Sequence, residues 1–115
     1  MRWIENMKTY KEFHGEVPIT EIGKRLREIV RTEKKSFKIL TGYGSTTVYS
    51  KSKQAAITSL IKMKKEGLIK AFFPGDVKYK TLYHNDNYYD DKLNYGNLVK
   101  NDHDYGNEGI IFIFV

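Results

Sequence analysis

The chain contains no cysteine, so neither a disulfide framework nor a thiolate site is available to it. Proline is scarce: only Pro18 and Pro74 occur, and both fall where elements begin or end. Long apolar runs are missing too. The longest, residues 110–115, is far too short to span a bilayer. The first residues have neither a long apolar core nor a small-residue cleavage site, so no signal peptide is read there. The expectation is a cytoplasmic protein with no membrane partner. No internal repeat or low-complexity stretch is visible. Acidic residues are few in the first two thirds of the chain. Residues 1–75 carry 16 Lys/Arg against 7 Asp/Glu, a net of +9, whereas residues 76–115 carry 4 against 7, a net of −3. A basic body of this kind suits a polyanionic partner.

At 115 residues the chain is read as one domain, large enough for a core without staples. Residues 7–13 read as a first strand, ending at His14-Gly15. Pro18 suits the opening of a helix, where its missing N–H costs nothing. Ile19, Ile22, Leu26, Ile29 and Val30 then define one apolar helical face, opposite a basic face of Lys24, Arg25, Arg27 and Arg31. That basic face either tracks a phosphate backbone or is simply solvated. Gly23 lowers helix propensity by about 1 kcal/mol relative to alanine, which suggests close packing there.

Residues 37–40 are a short, central second strand. A second helix is predicted over residues 52–66, with Ala56, Ile57, Leu60, Ile61 and Met63 as its apolar residues and Gly67 as its C′ residue. Residues 68–73 read as a third strand stopped by Pro74-Gly75, and residues 109–115 as a final strand apolar on nearly both faces. Residues 76–107 have no clear period and many Asn, Asp and Tyr. A structureless loop of that length is uncommon, so one or two short helices are expected near residues 90–99. The predicted fold is an α/β two-layer sandwich, a mixed sheet of about four strands with two main helices, in the order βαβαβ, irregular segment, β.

The chain is organised around Ile39-Leu40-Thr41-Gly42-Tyr43-Gly44-Ser45-Thr46-Thr47. An apolar strand runs into two glycines one residue apart and a hydroxyl cluster, followed by a helix. Backbone N–H groups in such a turn can form an anion site. Ser45 and its neighbouring hydroxyls, with Lys51 and Lys53 at the start of the second helix, would add donors and charge. An ordinary strand-to-helix turn is the alternative. Tyr43 between the glycines is placed to stack on a base, or else to act as a lid on the core.

Three pieces in this order resemble the small MutS-related domain, called Smr. Lys11-Glu12-Phe13-His14-Gly15 is similar to the family's Leu-Asp-x-His-Gly. Leu40-Thr41-Gly42-Tyr43-Gly44-Ser45 is similar to its His-Gly-x-Gly turn, and Tyr105-Gly106-Asn107-Glu108-Gly109 to the glycine that opens its last strand. The segment from Lys65 to Gly75 also looks like a longer, stand-alone subgroup. The resemblance spans roughly residues 8–115 and implies an α/β sandwich similar to the C-terminal domain of a bacterial translation initiation factor. It also implies nucleic-acid binding, with phosphodiester cleavage possible. The chain departs from the pattern at Glu12 for aspartate, Thr41 for histidine and Lys11 for leucine, with about five added residues near 47–51. Thr41 cannot do acid–base work near neutral pH, so catalysis would depend on His14.

His14 and Glu12 are the candidate catalytic pair: at i and i+2 of a strand they would share one side, the carboxylate orienting the imidazole. A histidine that only caps a strand end is the alternative. Nucleic acid, RNA slightly before DNA, is the expected partner, bound through Thr41, Gly42, Tyr43, Gly44, Ser45, Lys51 and Lys53. No cofactor and no metal site is read. Asp102-His103-Asp104 has no second histidine at ligand spacing and reads as a solvated loop. Two other readings stay open. One is a non-catalytic protein or ribosome interaction module, and the other an enzyme acting on a small phosphorylated substrate.

Overall fold

Successive residues of a strand point to opposite faces; in residues 110–114 both faces are apolar, so both need cover. The computed structural model describes residues 7–42 and 50–115 and shows how that cover is provided. The elements are β1 (Thr9–Tyr10), α1 (Ile22–Glu33), β2 (Phe37–Leu40), α2 (Lys51–Lys65), β3 (Ala71–Pro74), α3 (Tyr89–Tyr95) and β4 (Ile110–Phe114). Single 3-10 turns lie at Ile19–Glu21, Gly75–Tyr79 and Gly96–Leu98. No described helix is long and apolar enough to cross a membrane.

The strands form one mixed sheet in the order β1-β2-β4-β3. β1 runs parallel to β2, with Tyr10 opposite Ile39. β4 is antiparallel to both its neighbours, Ile111 facing Ile39 of β2 and Ile113 facing Phe72 of β3. Thus β1, β2 and β3 share one direction, and β4 is inserted between the last two against it.

Both long helices pack on one face of this sheet, as the α/β sandwich requires. Ile22, Leu26, Ile29 and Val30 of α1 and Ala56, Leu60 and Met63 of α2 bury against Phe37, Ile39, Phe72, Ile111 and Ile113. Full burial of such side chains stabilises the fold by about 1.5–3 kcal/mol each. Gly23 lets the two helices approach, because a Cβ there would stand 2.7 Å from Ser59 Oγ. Ser50 caps α2, its Oγ accepting from the Lys53 N–H at 3.2 Å. Gly67, at φ +77°, ends α2 as predicted. The Leu68 N–H reaches the Met63 carbonyl and the Gly67 N–H the Lys64 carbonyl, so the last carbonyls are satisfied.

Residues 76–107 supply the other cover. Met7, Ala71, Phe73, Val77, Val99, Ile110, Phe112 and Phe114 form a second apolar cluster on the opposite sheet face, with Tyr95, Leu98 and Tyr105 packed on it. The short helix expected near residues 90–99 is α3 with the turn that follows it.

Several boundaries differ from the sequence reading. The first strand is only two residues long because the chain turns immediately afterwards. The His14 N–H bonds the Lys11 carbonyl, and the Glu16 and Val17 N–H groups both bond the Glu12 carbonyl. The third strand starts at Ala71 rather than 68, since the α2 cap uses the preceding residues. Ile19 and Ile61 are exposed rather than on the packed helical faces. Ile19 belongs to the 3-10 turn before α1, where a tighter winding rotates it off that stripe.

Candidate functional site

Parallel strands finish at a common end of a sheet, and open α/β sheets bind ligands there. β1 and β2 are adjacent and parallel, so the turn holding Glu12 and His14 and the turn beginning at Thr41 leave the sheet at the same end. To that extent the topology brings the predicted residues together. It does not place Glu12 and His14 on a strand, as expected, because both lie in the turn after β1. The Glu12 carboxylate accepts from Arg25 through both oxygens, at 3.0 and 3.1 Å, and this pairing raises the Arg25 pKa. His14 is exposed in the same turn.

The described donors of the glycine turn are held inside the fold. Thr41 is fully buried, and its N–H and hydroxyl both bond the Gly109 carbonyl, at 2.7 and 2.9 Å. The Gly42 N–H donates to Ser52 Oγ at 3.1 Å. The Lys53 ammonium donates to the Glu108 carbonyl at 2.6 Å. Lys51 is exposed on the first turn of α2. These bonds fasten β2, the start of α2 and the entry to β4 to one another. Tyr43, Gly44 and Ser45 lie outside the described residues.

The charge of the body is partly neutralised where a basic face was expected. On α1, Arg25 also lies 3.5 Å from Glu28, and Arg27 lies 2.7 Å from Glu66 of the α2 cap. Lys24 and Arg31 are exposed.

The later segment turns much of its acidic charge into the fold. Five of its seven acids turn to cations or amides of the fold, Asp86 accepting from the Tyr83 N–H at 2.8 Å. Asp91 accepts from Lys64 at 2.8 Å and from the Phe72 N–H at 3.2 Å. Asp102 accepts from Lys38 at 2.7 Å, from the Met7 N–H at 3.0 Å and from the Asp104 N–H at 2.9 Å. Asp104 lies 2.8 Å from the same Lys38, and Asp76 pairs with Lys80 at 3.2 Å. All four lysines of residues 76–115, Lys78, Lys80, Lys92 and Lys100, line a single groove of about 610 Å³. Its walls are the Gly75–Tyr79 turn with the residues that follow it, and α3 with its own following turn. Lys92 ties the two walls, donating to the Lys80 carbonyl at 2.7 Å. None of the described lining residues is acidic, and Tyr79, Tyr89 and Tyr105 stand among the lysines.

Sequence reasoning missed both the groove and these ion pairs. Net charge by segment hides which charges point inward. One signal was available: Lys38 sits between Phe37 and Ile39 in a strand read as central, and a lysine there needs a buried counter-charge. Asp102 is that partner, buried rather than in the solvated loop expected from the sequence. The ligand atoms of Asp102, His103 and Asp104 lie within 4.8 Å of one another, a spacing that suits a cation. The Lys38 ammonium is the cation those two aspartates already share.

No protein-family model, no curated protein and no solved structure matches this chain.

Proposed function

We propose that this protein binds nucleic acid, RNA slightly before DNA, as a divergent Smr-like domain of the cytoplasm. The observation that carries the reading is the sorting of charge between surface and interior. The chain has a net charge of +6, and the acids that could offset it at the surface of residues 76–107 are largely used within the fold. Basic residues thereby face solvent on both the helical body and the later segment. Phosphate contacts by lysine and arginine supply most of the non-specific affinity of such proteins. The element order agrees with the α/β sandwich that the Smr resemblance implies, which supports the same reading.

Cleavage by such a domain depends on His14. Of the predicted motif, Thr41 is buried and the Glu12 carboxylate is held by Arg25. RNA is favoured because a motif altered in this way gives no reason to expect duplex nicking.

The test is a titration of labelled single-stranded RNA, single-stranded DNA and duplex DNA at two salt concentrations, with products resolved on a denaturing gel. Binding that weakens steeply with salt is expected. Absence of binding to all three overturns the reading. A salt-independent interaction with a protein would favour the interaction-module alternative, for which the exposed Tyr83 and Leu93 provide apolar surface.

A further inference from the structure

We infer that the groove between the Gly75–Tyr79 turn and α3 is a binding site for a single-stranded nucleic-acid segment, with a base stacked on Tyr79 and phosphates on the surrounding lysines. The inference rests on the nucleic-acid reading and adds a site to it, built from residues other than His14 and Gly42.

Three features of the groove converge. The first is chemical composition: four lysines and no described acid line a concavity whose volume falls in the ~300–1,000 Å³ range of small-ligand sites. That is room for a nucleotide or two, and too little for a duplex. The second is an exposed ring. Tyr79 is 74% exposed, the most exposed of the large apolar or aromatic side chains described, and Leu93 across the groove is 65% exposed. Large rings left in water beside a concave wall are what a stacking partner would cover.

The third feature is that the ring is already positioned. A Cβ at Gly106 would stand 2.9 Å from Cε2 and the hydroxyl oxygen of Tyr79, so that edge of the ring lies against the glycine, whose φ of +114° is one that L side chains rarely adopt. The Lys78 ammonium lies 5.3 Å from the Tyr79 ring centre and 5.7 Å from that of Tyr105, a cation–π arrangement. The turn beneath is fixed as well. The Gly106 N–H bonds the Gly75 carbonyl at 2.9 Å, and Gly75 leaves no space for a side chain against the Asn107 carbonyl. The ring is thus held against backbone along its Cε2–Oη edge, with the mobile end of the Lys78 side chain over the ring.

Single-strand binders combine a basic track with aromatic faces that accept any base. Duplex DNA keeps its bases stacked on one another and denies them to such a ring. An acidic peptide would satisfy the lysines but leave the ring unused. Asn97, also in the lining, offers both a donor and an acceptor to a base edge.

The experiment uses the full chain and fluorescence anisotropy with a labelled single strand of about 10 nucleotides, its duplex, and a glutamate-rich peptide of similar charge. Wild type should prefer the single strand to the other two. Tyr79→Ala should weaken single-strand binding by about 5- to 100-fold, and Tyr79→Trp should restore it. Lys78→Ala with Lys100→Ala should flatten the slope of log affinity against log salt, by about 0.7 for each phosphate that is no longer neutralised. All three positions are exposed, and circular dichroism of each variant checks that the fold is kept. Wild-type binding unchanged by both variants overturns this site while leaving the nucleic-acid reading in place. Equal binding of the peptide overturns the stacking assignment. Failure of wild type to bind any nucleic acid overturns the reading and the site together.

Discussion

The Lys38 ammonium lies 2.7 Å from Asp102 Oδ1 across 64 residues of sequence, with the two side chains 1% and 0% exposed. Lys38 is on a central strand, so this pair fastens the last part of the irregular segment to the middle of the sheet. Breaking a buried pair from one side strands a charge, which costs about 3–5 kcal/mol. Asp104 still faces the Lys38 ammonium at 2.8 Å, so in urea unfolding Asp102→Ala should cost less than a fully stranded charge, by about 1–3 kcal/mol for each of the orphaned Met7 and Asp104 N–H groups that water does not reach. Adding Lys38→Met to Asp102→Asn should cost less than the sum of the two single changes. Strict additivity would show that the two side chains do not interact.

Asp91 protects the free edge of β3. Its carboxylate accepts from the Phe72 N–H, which points away from β4, and Tyr88 packs edge-on against the Phe72 ring at 5.5 Å. Asp91→Ala leaves that N–H without its acceptor and releases Lys64, with an expected loss of about 1–3 kcal/mol. Exposed strand edges invite pairing between chains. Light scattering should then show concentration-dependent association of Asp91→Ala that Asp91→Asn, which keeps an acceptor, largely lacks.

Gly23 trades helix propensity for helix contact. Alanine there would gain about 1 kcal/mol of propensity but would meet Ser59 Oγ at 2.7 Å, whereas Ser59 Cβ is at 3.5 Å. Gly23→Ala alone should leave the thermal midpoint nearly unchanged. With Ser59→Ala added, the hydroxyl is gone and the midpoint should rise. A double variant no more stable than wild type would show that the helices need a closer approach than alanine permits.

Burial raises the pKa of the Tyr88 and Tyr105 hydroxyls, with the charges of Asp76 and Asp91 adding to the rise at Tyr88. The folded state therefore holds these protons at pH values where the unfolded chain has released them. Their contribution is complete below the unfolded value near 10 and is lost as pH rises towards the folded values. Stability measured by urea unfolding should fall with increasing pH from about 10 upward. Tyr88→Phe should make that fall shallower; an unchanged slope would remove Tyr88 as a cause.

Any strand cleavage by this protein should vanish in His14→Ala while affinity stays nearly the same. His14 is exposed, so the change is not expected to disturb the core. Cleavage retained at the wild-type rate would take His14 out of the chemistry.

Local patterns in the sequence determined the elements whose signals are themselves local. Ile22, Leu26, Ile29 and Val30 announce α1 by their period, Gly67 ends α2 by its freedom to adopt positive φ, and residues 110–114 announce a doubly covered strand by having no polar face. The same reasoning ran too far after Tyr10, where Phe13 looks like a strand residue yet is buried from within a turn by backbone bonds to Lys11 and Glu12. Only the tertiary structure decided the insertion of β4 between β2 and β3, since strand order depends on pairings far apart in sequence. It alone decided the sorting of charge as well. Asp91 and Asp102 are ordinary acids in a polar stretch until Lys64, Lys38 and three backbone amides come within 3.2 Å of them. A residue's charge is written in the sequence, but whether that charge faces water or another chain segment is settled by packing.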